Sequence, residues 1–179
     1  VKLLLTESEL REGVSRLARE ISGHYGDTSV TIVGVLTGSV VLLADLIREL
    51  EMPLRVALVQ ARSYRGKSTS PGPLVIGTES LPDLRHRHVL LVDDIFDTGR
   101  TLLELTSQID DHGPASVRSA VLLRKQGRQQ VPIVPDWIGF DIPDEFVVGY
   151  GLDYDDHYRN LRYLAVLEPA DLRDQERRA

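Results

Sequence analysis

The sequence predicts an α/β fold: a central parallel sheet flanked by helices, with a small C-terminal hood. Three observations carry this. The apolar, β-rich run at 29–36 is typical of a strand covered on both faces, and further strand-like runs stand at 54–61, 87–92 and 116–123. Runs with apolar residues at helical spacing stand between them. Strand and helix therefore alternate along the chain, an order that favours parallel strands with crossover helices.

Each element has its own local reason. Thr6-Glu7-Ser8-Glu9 reads as a capping box, and Leu10, Val14, Leu17 and Ile21 recur at helical spacing behind it. Gly23 and Gly26 are expected to end that helix. "SVTIVGVL" (29–36) is the first core strand; Gly38 breaks it, and 39–50 continues as a helix. "LRVALVQA" (54–61) and "RHVLLV" (87–92) are the next two strands. "TLLELTSQIDDHG" (101–113) places Leu102, Leu105 and Ile109 on one helical face, and "SVRSAVLL" (116–123) returns as a strand. From about 135 to 168 the chain reads as short strands and loops. The expected organisation is one domain over 1–179, with a core of about 1–134 and a hood of about 135–168 plus the N-terminal segment. The charged tail from 171 carries no signal.

Composition narrows the class of function. The chain has no cysteine, which rules out disulfides and zinc–thiolate sites and suits a reducing, cytoplasmic setting. A net charge of −6 speaks against a broad nucleic-acid surface. No apolar run reaches the roughly 18 residues of a membrane span, and no basic-then-apolar leader opens the sequence as given. Small or metal-complexed ligands are the expected partners, with neither nucleic acid nor membrane.

"LLVDDIFDTGRTL" (90–102) is where chemistry concentrates. It sets three carboxylates within five positions, between a core strand and a helix. In an open parallel sheet, ligands bind outside the carboxyl ends of strands, where Asp93 and Asp94 are expected. "DTGRT" then enters a helix whose first N–H groups lack internal partners, a ready cradle for a phosphate monoester. Thr98 and Thr101 add hydroxyls, and Gly99 allows close approach or a positive φ. Asp97 alone could be an N-cap, which would still leave two acids unexplained. The chain has no GxxxxGK[ST] loop and no GxGxxG fingerprint. Paired acids beside a phosphate cradle suit a sugar phosphate, facing its hydroxyls or a hydrated Mg²⁺. Two more stretches could bind or move, "SYRGKSTSPGP" (63–73) and "GLDYDDHYRN" (151–160), though each could also be a solvated loop.

"VLLVDDIFDTGRTL" (89–102) resembles the 5-phosphoribosyl-1-diphosphate (PRPP) signature of the type I phosphoribosyltransferases. "VGVLTGSVVLLADL" (33–46), Ser63-Tyr64, "LLRK" (122–125) and above all "PDWIGFDIPDEFVVGYGLDYDDHYRNLRYLAVL" (135–167) resemble the hypoxanthine(-guanine) branch. The likeness runs over about residues 3–168. It implies the type I phosphoribosyltransferase fold and transfer of phosphoribosyl from PRPP to a 6-oxopurine, with Mg²⁺ as cofactor and a homodimer or homotetramer. It implies that Asp93, Asp94, Asp97, Thr98, Gly99, Arg100 and Thr101 bind PRPP, the first two through ribose hydroxyls and metal. Asp97 would also serve purine N7, as general base or hydrogen-bond acceptor. Thr37, Gly38 and Arg159 would hold pyrophosphate, and Asp153 a second metal. Lys125, Phe146 and Val147 would bind the purine, while Ser63 and Tyr64 would belong to a lid. It further implies that the Leu36–Thr37 peptide is cis or can become so. One departure stands out: Thr37 occupies the place of the family's usual lysine. A xanthine-preferring relative and a PRPP-sensing regulator that kept the fold are the competing readings.

Overall fold

The computed structural model describes residues 1–63, 74–168 and 171. Its elements, in chain order, are β1 (Lys2–Leu5), α1 (Glu7–Tyr25), β2 (Val30–Leu36), α2 (Val40–Ile47), β3 (Leu54–Ser63) and β4 (Leu74–Ile76). They continue with β5 (His88–Phe96), α3 (Arg100–Asp110), β6 (Ser116–Lys125), β7 (Trp137–Ile142), β8 (Val147–Val148) and β9 (Leu164–Val166).

The expected capping box opens α1: the Thr6 hydroxyl accepts from Glu9 N–H while the Glu9 carboxylate accepts from Thr6 N–H. Gly23 does not end this helix. A side chain at Gly23 would meet open space, so the residue sits harmlessly on the outer face. The helix stops at Gly26, which takes φ 55°. α2 is shorter than the 39–50 run because it stops at Ile47: past that point Glu49 N–H bonds back three residues to the Leu46 carbonyl, a tighter closing turn.

Six strands form the main sheet in the order β4-β3-β2-β5-β6-β7, all parallel except the antiparallel edge strand β4. Successive residues of one strand feed opposite layers. Leu90 packs with α1 and α2, through Leu10, Leu17, Ile21, Leu42 and Leu46. Leu91 packs with α3, through Leu102, Leu105 and Ile109. Both faces of β2 and β5 are covered, as their unbroken apolar runs require, whereas β3 leaves Val56 and Leu58 exposed on one face.

Topology fixes the place of the site. Chain order reverses between β2 and β5, and open α/β sheets bind ligands at such a point. β2 pairs with β5 only as far as Gly34 opposite Val92. Beyond it, β2 follows β3 to Leu36 opposite Gln60, while β5 follows β6 to Phe96 opposite Arg124. The sheet parts there and leaves a crevice. Asp93 and Asp94 therefore lie inside β5, not past its end, since pairing with β6 carries the strand to Phe96.

β1, β9 and β8 make a separate three-stranded antiparallel sheet, the hood, joined to the main body through Val147, Leu164 and Val166. β7 falls in the stretch expected to be hood and is instead a strand of the main sheet, paired with β6. Among the described residues, no helix is long and apolar enough to cross a membrane.

Candidate active site

Three cavities meet along the crevice. The first, about 290 Å³, is floored by Asp93 and Asp94 and walled by Asp97, Thr98, Gly99 and Thr101. The second, about 250 Å³, lies under the hood between Lys125, Phe146, Val147 and Leu152, reaching Asp97 and Asp153. The third, about 470 Å³, opens between Thr37, Gly38, Gln60, Asp153, Asp156 and Arg159. Asp94 lines all three.

The loop around the first cavity is shaped by Gly99, which starts α3 at φ 86°. A side chain there would strike Phe96 and Val131, so only glycine fits both the angle and the space. Thr98 and Thr101 face the cavity, whereas Arg100 is exposed and its side chain takes no part in the lining. Asp97 does not cap the helix. Its Oδ1 accepts from Arg128 Nε at 2.9 Å, and its Oδ2 lies 3.9 Å from Lys125 Nζ.

Asp93 is buried, and its Oδ1 accepts the Asp94 N–H at 2.9 Å. Burial pushes its carboxyl well above the ordinary carboxylate range, and repulsion from Asp94 adds to the shift. Burial also raises Asp94, with Arg159 among the groups that pull it back. Asp94 reaches over the loop that follows β2: a methyl group on Gly38 would collide with its Oδ2. Gly151, at φ 98°, closes on the Gly38 carbonyl from the other side. The Leu36–Thr37 peptide is cis. Thr37 itself is exposed.

Arg159 is held by three acceptors: Asp153 Oδ1 at 3.0 Å, Asp156 Oδ1 at 3.1 Å and the Gly151 carbonyl at 2.9 Å. Asp153 also accepts the Asp156 N–H at 2.8 Å. In the second cavity Phe146 is half exposed, at 51 %, and meets Tyr154 edge-on with ring centroids 5.5 Å apart. That leaves one face of an aromatic ring beside Lys125, which is otherwise well covered. Val147 is buried at the start of β8.

Outside the expected lid, every candidate site residue except Arg100 thus lines one of three adjoining cavities. Ser63 ends β3, where its backbone pairs with Leu74. Tyr64 and the rest of the expected lid, 64–73, lie outside the described residues. Sequence reasoning missed Arg128, Asp144, Asp156 and Tyr154. Each lies within a few residues of a group that was named, in a stretch whose charge gives no sign of which way it points.

A crevice at a strand-order reversal, with paired acids, a glycine-turn helix start and a hood, is a geometry that other chains share. Residues 3–155 match the family model of the phosphoribosyl transferase domain. The chain belongs to the phosphoribosyltransferase family. It is 38% identical to the hypoxanthine-guanine phosphoribosyltransferase of Streptococcus pneumoniae, over 93% of each chain. Among solved structures, the hypoxanthine phosphoribosyltransferase of Trypanosoma cruzi superposes with a TM-score of 0.90 at 35% identity, covering 98% of this chain and 95% of that one. A hypoxanthine-guanine phosphoribosyltransferase of Bacillus anthracis superposes at 0.88 with 33% identity, covering 94% and 99%. This phosphoribosyltransferase is thus similar to enzymes of the purine-salvage branch, and it is a transferase.

Proposed function

We propose that this phosphoribosyltransferase transfers the 5-phosphoribosyl group of PRPP to hypoxanthine and/or guanine, releasing pyrophosphate and forming the nucleoside 5′-monophosphate. The observation that carries this is the position of Asp94, common to three cavities. A ribose ring with its hydroxyls at Asp93 and Asp94 has three arms to place. These are a 5-phosphate, a base and a leaving pyrophosphate, and each cavity has the chemistry of one.

The 5-phosphate belongs in the first cavity, where the start of α3 turns N–H groups outward and Thr98 and Thr101 supply hydroxyls. The purine belongs in the second, flat against Phe146, with its 6-oxo group toward Lys125 and the Val147 backbone along its edge. Asp97 lies between these two and can accept the N7 hydrogen bond or proton. Pyrophosphate belongs in the third, against the backbone of Thr37 and Gly38 and the guanidinium of Arg159. Purine N9 then attacks C1 from the side opposite the departing pyrophosphate, inverting that carbon.

The donor set fits Mg²⁺. Asp93 and Asp94 form a carboxylate pair whose charge the burial around it leaves poorly compensated, and Asp153 faces the same crevice. Among the described residues, no three metal-ligating side chains converge by themselves. An ion that keeps water and takes most of its oxygens from substrate matches that arrangement. Bound there, Mg²⁺ would neutralise charge on the ribose and pyrophosphate oxygens. A homodimer or homotetramer in the cytoplasm belongs to the same reading, carried by the family likeness. The test is steady-state turnover with PRPP and Mg²⁺ across hypoxanthine, guanine, xanthine and adenine. Turnover with hypoxanthine or guanine is expected; xanthine as the preferred base, or no purine turnover, overturns the reading.

A further inference from the structure

Four charged side chains of alternating sign close a ring at the border of the first two cavities. Arg128 Nε is 2.9 Å from Asp97 Oδ1, and 3.6 Å from Asp144 Oδ1. Lys125 Nζ is 3.6 Å from the same Asp144 oxygen, and 3.9 Å from Asp97 Oδ2. The ring links the phosphate loop, the end of β6, the β6–β7 connection and the β7–β8 connection. Arg128 and Asp144 have no part in the function derived so far.

Arg128 stands on a segment that is anchored on both sides. Gln126 N–H donates to the Ile142 carbonyl at 2.9 Å, and Gly127 turns the chain at φ 74°. Gln130 N–H then donates to the Thr98 carbonyl at 2.9 Å, inside the phosphate loop itself. Val131 lies against Gly99. The guanidinium is thereby delivered to Asp97 by backbone that is tied to the loop carrying Asp97.

A stabilising role is a poor account of this contact. The side chains of Arg128 and Asp97 are 42 % and 38 % exposed, and ion pairs so open to water contribute little to stability. Orientation is a better one. The terminal torsion of an aspartate is broad, so an unheld carboxylate points its oxygens through a wide arc. A charge-assisted hydrogen bond to one oxygen fixes where the other points. Here the held oxygen is Oδ1, and the remaining Oδ2 is the one on the Lys125 side, facing the purine cavity.

We propose that Arg128 is a positioning residue for Asp97, holding Oδ1 so that Oδ2 is presented to purine N7. The proposal rests on the reading of Asp97 given above. Its test is a kinetic cycle of wild type, Arg128→Ala, Asp97→Asn and the double variant, with Arg128→Lys as the conservative control. Arg128→Ala should lower kcat ~10-fold with KM for PRPP changed less than ~2-fold, because the contact acts on the base and not on the sugar phosphate. Arg128→Lys should recover most of that loss. In the Asp97→Asn background Arg128→Ala should add almost nothing, since the group it positions is already disabled. A full, additive loss on top of Asp97→Asn, or a wild-type kcat in Arg128→Ala beside a slow Asp97→Asn, overturns the role of Arg128 alone. A wild-type kcat in Asp97→Asn instead overturns the reading of Asp97, and the inference with it. An unchanged melting temperature in Arg128→Ala is expected throughout; a large fall would assign the contact to folding and sink the proposal.

Discussion

Lys125 presents donors and no acceptor, and at 13 % exposure its ammonium is largely shielded from water. On the proposed placement of the purine, hypoxanthine or guanine would set its O6 acceptor against it. Adenine would set against it an amine whose hydrogens point back at it, and the ammonium would keep only its longer contacts to Asp97 and Asp144. Sites of this kind discriminate by ~10⁴-fold, beyond what shape alone achieves. Adenine is therefore expected to be nearly inert, and Lys125→Gln to narrow the gap, because an amide can turn its oxygen to the amine. The ratio of kcat/KM for hypoxanthine and adenine, in both proteins, checks this; an unchanged ratio removes Lys125 from the 6-position. Asp97→Asn tests the neighbouring group: loss of a general base lowers kcat by ~10²-fold or more, whereas a role as hydrogen-bond acceptor would largely survive in the amide oxygen. Gly38 gives a third prediction. The atom that a methyl group would strike belongs to the Asp94 side chain, which can swing aside. Gly38→Ala should thus leave the melting temperature nearly unchanged while displacing the carboxylate common to all three cavities. Its kcat/KM should fall at least ~10-fold, an effect that misplacing a binding group commonly has.

β5 carries the site because two neighbouring strands release it at different points. Its pairing with β2 stops at Val92, while β6 holds it to Phe96, so two acids ride on a strand that is only half covered. The sequence marks the acids and the apolar run before them, and reading the strand as ended at 92 follows from treating charge as a loop signal. Lateral pairing overrides that signal, and nothing local to 93–96 announces it. The same limit hid β7. Its burial is irregular, with Trp137 and Ile138 only partly covered, and Gly139 interrupts its pattern. By contrast α1, β2, α3 and β6 were legible, because caps and unbroken apolar spacing are local. The motif residues were legible by likeness to a family; the partners that orient them, Arg128 and Asp144, come from connections whose paths only the fold decides. Gly139 makes an element-scale prediction. A side chain there would press on the backbone of Leu122, 2.5 Å from its carbonyl oxygen, and glycine in a strand often marks such an approach. Gly139→Ala should cost ~1–3 kcal/mol by forcing β7 off β6, read as a lower urea midpoint at unchanged m. Stability equal to wild type would mean that β7 is not packed as closely as described.

The molecule as a whole gives up stability at the crevice to keep two carboxylates ready for a ligand. Burial raises the Asp93 carboxyl well above its ordinary value, with Asp94 adding repulsion. A carboxyl whose pKa is raised on folding favours the folded state only while it is protonated. Its contribution is fully present below the unfolded value of 3.8 and is lost as pH climbs through the raised one. Once pH exceeds that raised value, the ligand-free, metal-free protein therefore carries an unfavourable charge. Asp93→Asn removes that charge at nearly constant volume, so it should raise the melting temperature of the ligand-free protein at pH above the raised value. The gain should shrink as pH is lowered toward the ordinary carboxylate range, where wild type no longer bears the charge. With PRPP and Mg²⁺ the order should reverse. A ligand that binds only the folded state adds ~2.7 kcal/mol at one hundred times its dissociation constant. Wild type should gain this and Asp93→Asn should gain far less, because the variant has lost a ligand for the ribose–metal complex. Melting curves of both proteins, with and without PRPP–Mg²⁺ at two pH values, read the whole pattern at once. If Asp93→Asn melts below wild type when free, its buried charge is compensated by something other than substrate and metal. If both proteins gain equally from PRPP–Mg²⁺, Asp93 does not face the sugar phosphate.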